Sequence, residues 1–325
     1  MKDILHDRKF YKPFCYPEFY NYWTIQQSMF WLPFEIPMDR DVQDFNNVLS
    51  DDERKIFHMV LRFFTQVEVE VSAGYIDLMK YFPLYEIKSM ISSFLNMETI
   101  HAASYSHLIS SLNLPEEIFK EFLDYKVMKD KVDMYLNIKP TSPLTALKLI
   151  ACISIFTEGF ILYSSFYILI SLSQVGLMSG VSQIATFAMR DETLHNAAMT
   201  HLYKNFRKYI IHYEINTEAE IEEMENEIKQ MALKFIDLEI QFVNLIFDNG
   251  KKRLRNLEMF QVIEFIWYLA EKRMNQIGYS ENYQEHYDTK NFADFLLIIN
   301  SKENTDFFNQ KPTTYHKNTK NENMF

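Results

Sequence analysis

An all-α helical bundle is the fold class this sequence predicts, on three observations. Chain breakers are scarce, no segment shows the alternation of a half-buried strand, and the prolines fall where long helices would have to turn. Only 6 Gly and 9 Pro punctuate 325 residues, while 48% are hydrophobic and 16% aromatic. That is enough apolar surface for a sizeable core in one large domain or two ordinary ones.

In chain order, residues 1–48 read as an arm of short helical pieces, interrupted at Pro13, Pro17, Pro33 and Pro37. Asp51-Asp52-Glu53 is an acidic helix-start signal for a long helix to about Tyr81, because carboxylates favour the positive end of the helix dipole. Pro83 marks a turn, and a second helix is predicted over about 84–112. Pro115 opens a further helical segment that ends before Pro140 and Pro143. An apolar helix over about 144–172 turns around Gly176 and Gly180 into another over about 181–209. Helices near 217–249 and 255–276 complete a body spanning 49–300. Residues 301–325 are rich in Asn, Lys and Thr and read as a mobile tail.

Composition narrows the function by exclusion. A net charge of −11 argues against a nucleic-acid surface, which needs a basic face. Cys15 and Cys152 are too few for a disulfide framework and show no metal-ligand spacing. The first 20 residues are charged and aromatic and lack the apolar run of a signal peptide. Ala151–Leu172 is apolar enough to suggest a membrane span, but Glu158 sits inside it and no second span accompanies it. A carboxylate is costly in lipid, so this stretch reads as the centre of a bundle and the protein as cytoplasmic.

Three carboxylate-x-x-His pairs are present, Asp3/His6, Glu98/His101 and Glu192/His195. About one is expected by chance from the 44 acidic residues and 9 histidines, so number alone carries no weight. Context does. Glu98-Thr-Ile-His-Ala-Ala-Ser-Tyr-Ser-His107 and Glu192-Thr-Leu-His-Asn-Ala-Ala-Met-Thr-His201 repeat one pattern. At i and i+3 each Glu and His share a helix face and can point at one ion. The trailing His107 and His201 lie about 240° further round and read as structural.

Each pair also has an acidic residue at matching height on the preceding helix. Glu68 lies 15 residues before Pro83 and Glu98 lies 15 after it, which places both about 22 Å from the turn. Glu158 and Glu192 are likewise centred on residue 175, beside Gly176. Glu70 is a rival for Glu68, but it lies about 200° away on the helix, and hairpin register favours Glu68. Four helices would thus deliver four carboxylates and two histidines to one layer, the arrangement of ferritin-like di-iron and di-manganese proteins. Carboxylate with imidazole suits iron or manganese, and unpaired buried carboxylates would otherwise be prohibitively costly. Tyr105 stands where the second copy has Met199. At i+4 from His101 it shares the metal-facing side and is the natural phenol to oxidise.

These residues resemble the radical-generating small subunit of class I ribonucleotide reductase over nearly the whole chain. The markers are Phe63-Phe64-Thr65-Gln66-Val67-Glu68, Glu98-Thr-Ile-His101-Ala-Ala-Ser-Tyr105, Thr157-Glu158-Gly159-Phe160 and Arg190-Asp191-Glu192-Thr-Leu-His195. The resemblance implies that Glu68, Glu98, His101, Glu158, Glu192 and His195 bind two metal ions and that oxygen activation leaves a radical on Tyr105. It further implies that Trp31 links through Asp191 to His101, and that Tyr315 relays the radical to a large subunit on which the 301–325 tail docks. A homodimer is implied as well, and the small subunit of a ribonucleoside-diphosphate reductase is the expected role, with reduction of ribonucleotides to deoxyribonucleotides as the overall reaction and diphosphate or triphosphate substrate left open. Two positions depart from the pattern: Glu68 stands where Asp is usual, and Leu162 replaces a common aromatic. Glu at the first position resembles a manganese/iron subgroup that lacks the radical tyrosine. The implied cofactor is therefore Fe/Fe first, with Mn/Fe and Mn/Mn open. A related dimetal oxidase acting on its own ligand and a metal-storage bundle are the alternatives.

Overall fold

The computed structural model describes residues 2–136 and 138–306. Twelve α-helices are assigned among them, and no strand. The arm contributes α1 (Pro17–Ser28) and α2 (Asp39–Asn47). The body contains α3 (Asp51–Tyr81), α4 (Tyr85–Ser111), the short α5 (Ile118–Glu121), α6 (Lys126–Leu136), α7 (Pro143–Ile150), α8 (Leu162–Ser171), α9 (Ser179–His212), α10 (Glu218–Ile246) and α11 (Met259–Gln276). A π-helical segment, Ala151–Ile161, joins α7 to α8. The last helix, α12, spans Ala293–Asp306, so helix continues past the tail boundary expected at 301. Tyr315 lies outside the described residues.

Local signals explain where the site-bearing helices begin and end. The Ser50 side chain accepts from the Glu53 backbone N–H at 3.3 Å, while Glu53 Oε2 accepts from the Ser50 N–H at 2.8 Å, a reciprocal cap. Burial would raise the Glu53 pKa, but bonds from Arg255 and Ser50 hold it down at about 2. Helix α3 then runs unbroken to Tyr81; Phe82 turns extended ahead of Pro83, which lacks the N–H needed to continue the helix. Helix α9 is capped from a distance: Asp41 of α2 accepts from the N–H groups of Gly180 and Val181 at 3.0 and 2.9 Å.

The α3–α4 and π/α8–α9 hairpins pack as the expected four-helix layer, with α10 and α11 against the second hairpin. The apolar helix beginning at Pro143 is the one among the described residues long and apolar enough to cross a membrane. In its most apolar window 83% is buried inside the protein, so its hydrophobicity is consumed by core packing. The arm folds back along α4. Arg8 Nη2 meets Glu86 Oε2 at 2.6 Å, and Glu86 Oε1 accepts from the Cys15 and Tyr16 N–H groups at 2.7 and 3.1 Å.

One ion pair is wholly enclosed away from the site. Lys131 Nζ of α6 lies 2.5 Å from Glu239 Oε2 of α10, both fully buried, and Ser164 donates to the other oxygen. The ammonium also lies 3.7 Å from the Phe63 ring centre and 4.1 Å from that of Phe242. Removing one partner strands the other charge. Lys131→Ala is expected to lower stability by about 3–5 kcal/mol in chemical denaturation, and Lys131→Met combined with Glu239→Leu by much less; equal losses would contradict this.

Candidate dimetal centre

The six predicted metal-site residues come from four elements and meet at one place. Glu68 projects from α3, Glu98 and His101 from α4, Glu158 from the π segment, and Glu192 and His195 from α9; all six are fully buried. They form two overlapping groups, Glu68/Glu98/His101/Glu192 and Glu98/Glu158/Glu192/His195, whose ligand atoms lie within 4.8 Å of one another. Glu98 and Glu192 belong to both. His101 Nδ1 lies 3.3 Å from Glu98 Oε2 and 3.1 Å from Glu192 Oε1. His195 Nδ1 lies 3.0 Å from Glu98 Oε1 and 3.3 Å from Glu192 Oε2. Each shared carboxylate therefore turns one oxygen to each histidine.

Despite these distances, both oxygens of Glu68, Glu98 and Glu192, Glu158 Oε1 and both Nδ1 atoms have no hydrogen-bond partner. Nine buried ligand atoms converge with close charge contacts but no well-formed hydrogen bond. That is costly for polar groups alone and is what a pair of divalent cations would resolve. The donor set fits two metal ions.

The electrostatics agree. Burial and repulsion from Glu98 push the Glu68 pKa well up, and burial with the Glu192 charge raises Glu158 to about 8. Burial would raise Glu98 too, but the imidazoles of His101 and His195 bring it down to about 2. Burial would lower both histidines, yet the surrounding carboxylates carry them well above the usual range.

The outer nitrogens of the histidines are fixed from the opposite side. His101 Nε2 lies 3.3 Å from Asp191 Oδ2, and Trp31 Nε1 donates to the same oxygen at 2.8 Å. His195 Nε2 lies 3.1 Å from Gln26 Oε1, and Gln26 Nε2 donates to Asp191 Oδ1 at 3.2 Å. One connected set thus holds both imidazoles with Nδ1 facing inward, a common way to orient metal-binding histidines. The Trp31–Asp191–His101 connection expected from the sequence is present. Gln26 was missed: it lies on an arm whose return to the core has no local signature.

Tyr105 is fully buried, its hydroxyl lacks a hydrogen-bond partner, and its ring packs 4.6 Å from that of Phe64. Burial, then the charge of Glu68, pushes its pKa well up. Leu162 is buried, and Phe166, 5.2 Å from Phe64, continues this aromatic wall. Glu70 stands aside, half-buried and bonded to Gln66. Asp3 of the third carboxylate–histidine pair bonds instead to Tyr209 at 2.8 Å. His107 and His201 are partly buried, outside both groups.

The π segment presents Glu158 under constraint. Its wide turns release carbonyls from the α-helical pattern, and side chains of α9 and α11 take up two of them. Asn196 Nδ2 donates to Ser154 O and Arg273 Nε to Gly159 O, each at 2.8 Å. A Cβ at Gly159 would lie 2.8 Å from Asn196 Nδ2 and 3.3 Å from Arg273, so a larger residue would displace both clamps.

Fold and site together define a class: a ferritin-like helical carboxylate protein whose donors can hold two metal ions. The chain belongs to the ribonucleotide reductase small-chain family, whose description "Ribonucleotide reductase, small chain" matches residues 8–291. It is 33% identical, over 96% of its length and 95% of the relative's, to the "Probable ribonucleoside-diphosphate reductase small subunit 376L" of Invertebrate iridescent virus 6. A ribonucleoside-diphosphate reductase subunit beta of Halalkalibacterium halodurans is 28% identical, with 89% of this chain and 83% of the relative covered. The fold matches the ribonucleotide reductase R2 subunit of Clostridium botulinum at TM-score 0.76, with 24% identity and 86% and 88% coverage. It also matches the dimanganese(II)-NrdF of Streptococcus sanguinis at TM-score 0.74, with 19% identity and 91% and 99% coverage.

Metal ligands must be ionised carboxylates and neutral imidazoles, whereas burial and the Glu192 charge keep Glu158 protonated below about pH 8, and the surrounding carboxylates keep both histidines charged despite their burial. Manganese(II) binding at pH 7 is therefore expected to release protons, with affinity falling as pH drops. Calorimetry in buffers of different ionisation enthalpy checks this; a binding heat independent of buffer would contradict it.

Proposed function

We propose that this chain is the radical-generating small subunit of a ribonucleoside-diphosphate reductase. It is an oxidoreductase component that works with a separate large subunit to reduce ribonucleotides to deoxyribonucleotides. The observation carrying this reading is the pair of overlapping donor groups sharing Glu98 and Glu192, with Tyr105 buried beside Glu68. Glu68, Glu98, His101, Glu158, Glu192 and His195 would hold two metal ions, Fe/Fe in the first instance, with Mn/Fe or Mn/Mn as the other pairings. Once bound, these ions supply the oxidising equivalent by activating oxygen.

The protein's own residues then store and direct that equivalent. Tyr105 would keep it as a tyrosyl radical, shielded from water and reductants by complete burial against Phe64. Its hydroxyl has no competing hydrogen bond. Asp191 couples His101 to Trp31 through contacts of 3.3 and 2.8 Å, which suits long-range transfer out of the core. A self-contained oxidase or a storage bundle would use Asp191 to orient His101 but has no need of a relay that continues to Trp31. Tyr315 is proposed as the next relay, on a 301–325 tail that docks on the large subunit. The reading includes a homodimer, the cytoplasm as location, and the division into arm 1–48, body 49–300 and tail.

Loading with iron, or manganese plus iron, followed by oxygen should give a tyrosyl signal in electron paramagnetic resonance that Tyr105→Phe abolishes. Absence of any radical or oxidised mixed-metal signal under every loading would sink the proposal. Tyr315→Phe should keep the wild-type signal while turnover with the large subunit falls at least about 100-fold; unchanged turnover would remove Tyr315 from the relay.

A further inference from the structure

A second buried phenol, Tyr75, stands at this site on the side away from Tyr105. It lies seven residues after Glu68 on α3, two turns along the same face. Glu68 belongs to the donor group of His101, whereas Tyr75 reaches the group of His195, its ring perpendicular to that imidazole at 6.2 Å. The Tyr75 hydroxyl donates to Glu158 Oε2 at 2.6 Å and lies 3.1 Å from Ser154 Oγ.

This contact makes the two outer carboxylates unequal. Both oxygens of Glu68 lack hydrogen-bond partners, but on Glu158 only Oε1 does, and that oxygen lies 3.6 Å from His195 Nδ1. Glu68 can offer one oxygen or two without competition, whereas on Glu158 only Oε1 is free of a hydrogen bond and Oε2, which already gives a lone pair to Tyr75, is held in place and is the weaker ligand atom. The surrounding packing fixes this geometry. Beside Tyr75, a Cβ on Gly74 would come within 2.9 Å of Ile153 Cγ2, so glycine lets α3 approach the π segment closely. From the other side, Asn196 holds the Ser154 carbonyl.

We propose that Tyr75 is a positioning residue that holds Glu158 as a one-oxygen ligand, so that the metal position beside His195 is rigid and the one beside Glu68 adaptable. The inference rests on the two-metal reading above and deepens it, because it assigns the two positions different tolerance for metals.

The test is titration of metal-free full-length protein with manganese(II) alone, free ion being followed by electron paramagnetic resonance and folding by circular dichroism. Wild type should bind two ions per chain, and Tyr75→Phe should weaken one position about 10- to 100-fold while leaving the other within about twofold. Glu68→Ala assigns the positions: with its ligand lost on the other side, adding Tyr75→Phe should weaken the remaining tight position by the same factor. Weakening of neither position, or of both equally, overturns the proposal. Should Tyr75→Phe not fold, Ser154→Ala decides, with a smaller loss in the same direction confined to the His195 position as support and an unselective effect or none as refutation. Wild type binding fewer than two ions would instead defeat the two-metal reading itself.

Discussion

Four carboxylates and two imidazoles held out of water within a few ångströms of one another constitute the interaction to which the surrounding structure answers. Each carboxylate would prefer water, and their mutual repulsion adds to the desolvation cost. The divergent effects of this confinement, Glu98 driven down to about 2 and Glu158 up to about 8, show groups competing for too few positive partners. Two divalent cations would neutralise this charge and satisfy the unpaired atoms together. The same demand accounts for the length of the four central helices: only rigid elements packed along much of their length keep so many ionisable groups in register.

The support around the donors has two faces. On one, the arm brings Gln26 and Trp31 against Asp191, which fixes both histidines at once. The Arg8–Glu86 latch ties that arm to α4, the helix that carries Glu98 and His101. On the other, Asn196 and Arg273 compensate the π segment's displaced carbonyls and Tyr75 restrains Glu158. The His101 face leads outward through hydrogen-bonding groups, and the Tyr105 face is closed by apolar aromatic rings. In the proposed function this division would let Tyr105 hold the oxidising equivalent on one side and Trp31 pass it on from the other.

Much of this was legible in the residues. The repeated Glu-Thr-apolar-His pattern, the matched heights of Glu68 and Glu158, and Tyr105 at the mismatch between the copies all follow from helical periodicity acting over short distances. The structure places Glu68 in the cluster and Glu70 outside it; their angular separation on α3 allowed only one of the two, and hairpin register with the family resemblance favoured Glu68. Tyr75 obeys the same period, two turns from Glu68, but its partner Glu158 lies 83 residues further on. No local pattern distinguishes such a tyrosine from an ordinary core residue.

Spacing along the chain sufficed for the all-α class and the main helices, and together with the family resemblance it singled out the six candidate donors and the phenol beside them, because helix faces and hairpin register follow from residue separation. Tertiary structure alone decided that Glu98 and Glu192 each face both histidines, that Gln26 returns from the arm to His195, and that a π segment carries Glu158. These features arise where chain segments far apart in sequence meet, and their geometry is set by packing. Helical periodicity carries no information about such meetings.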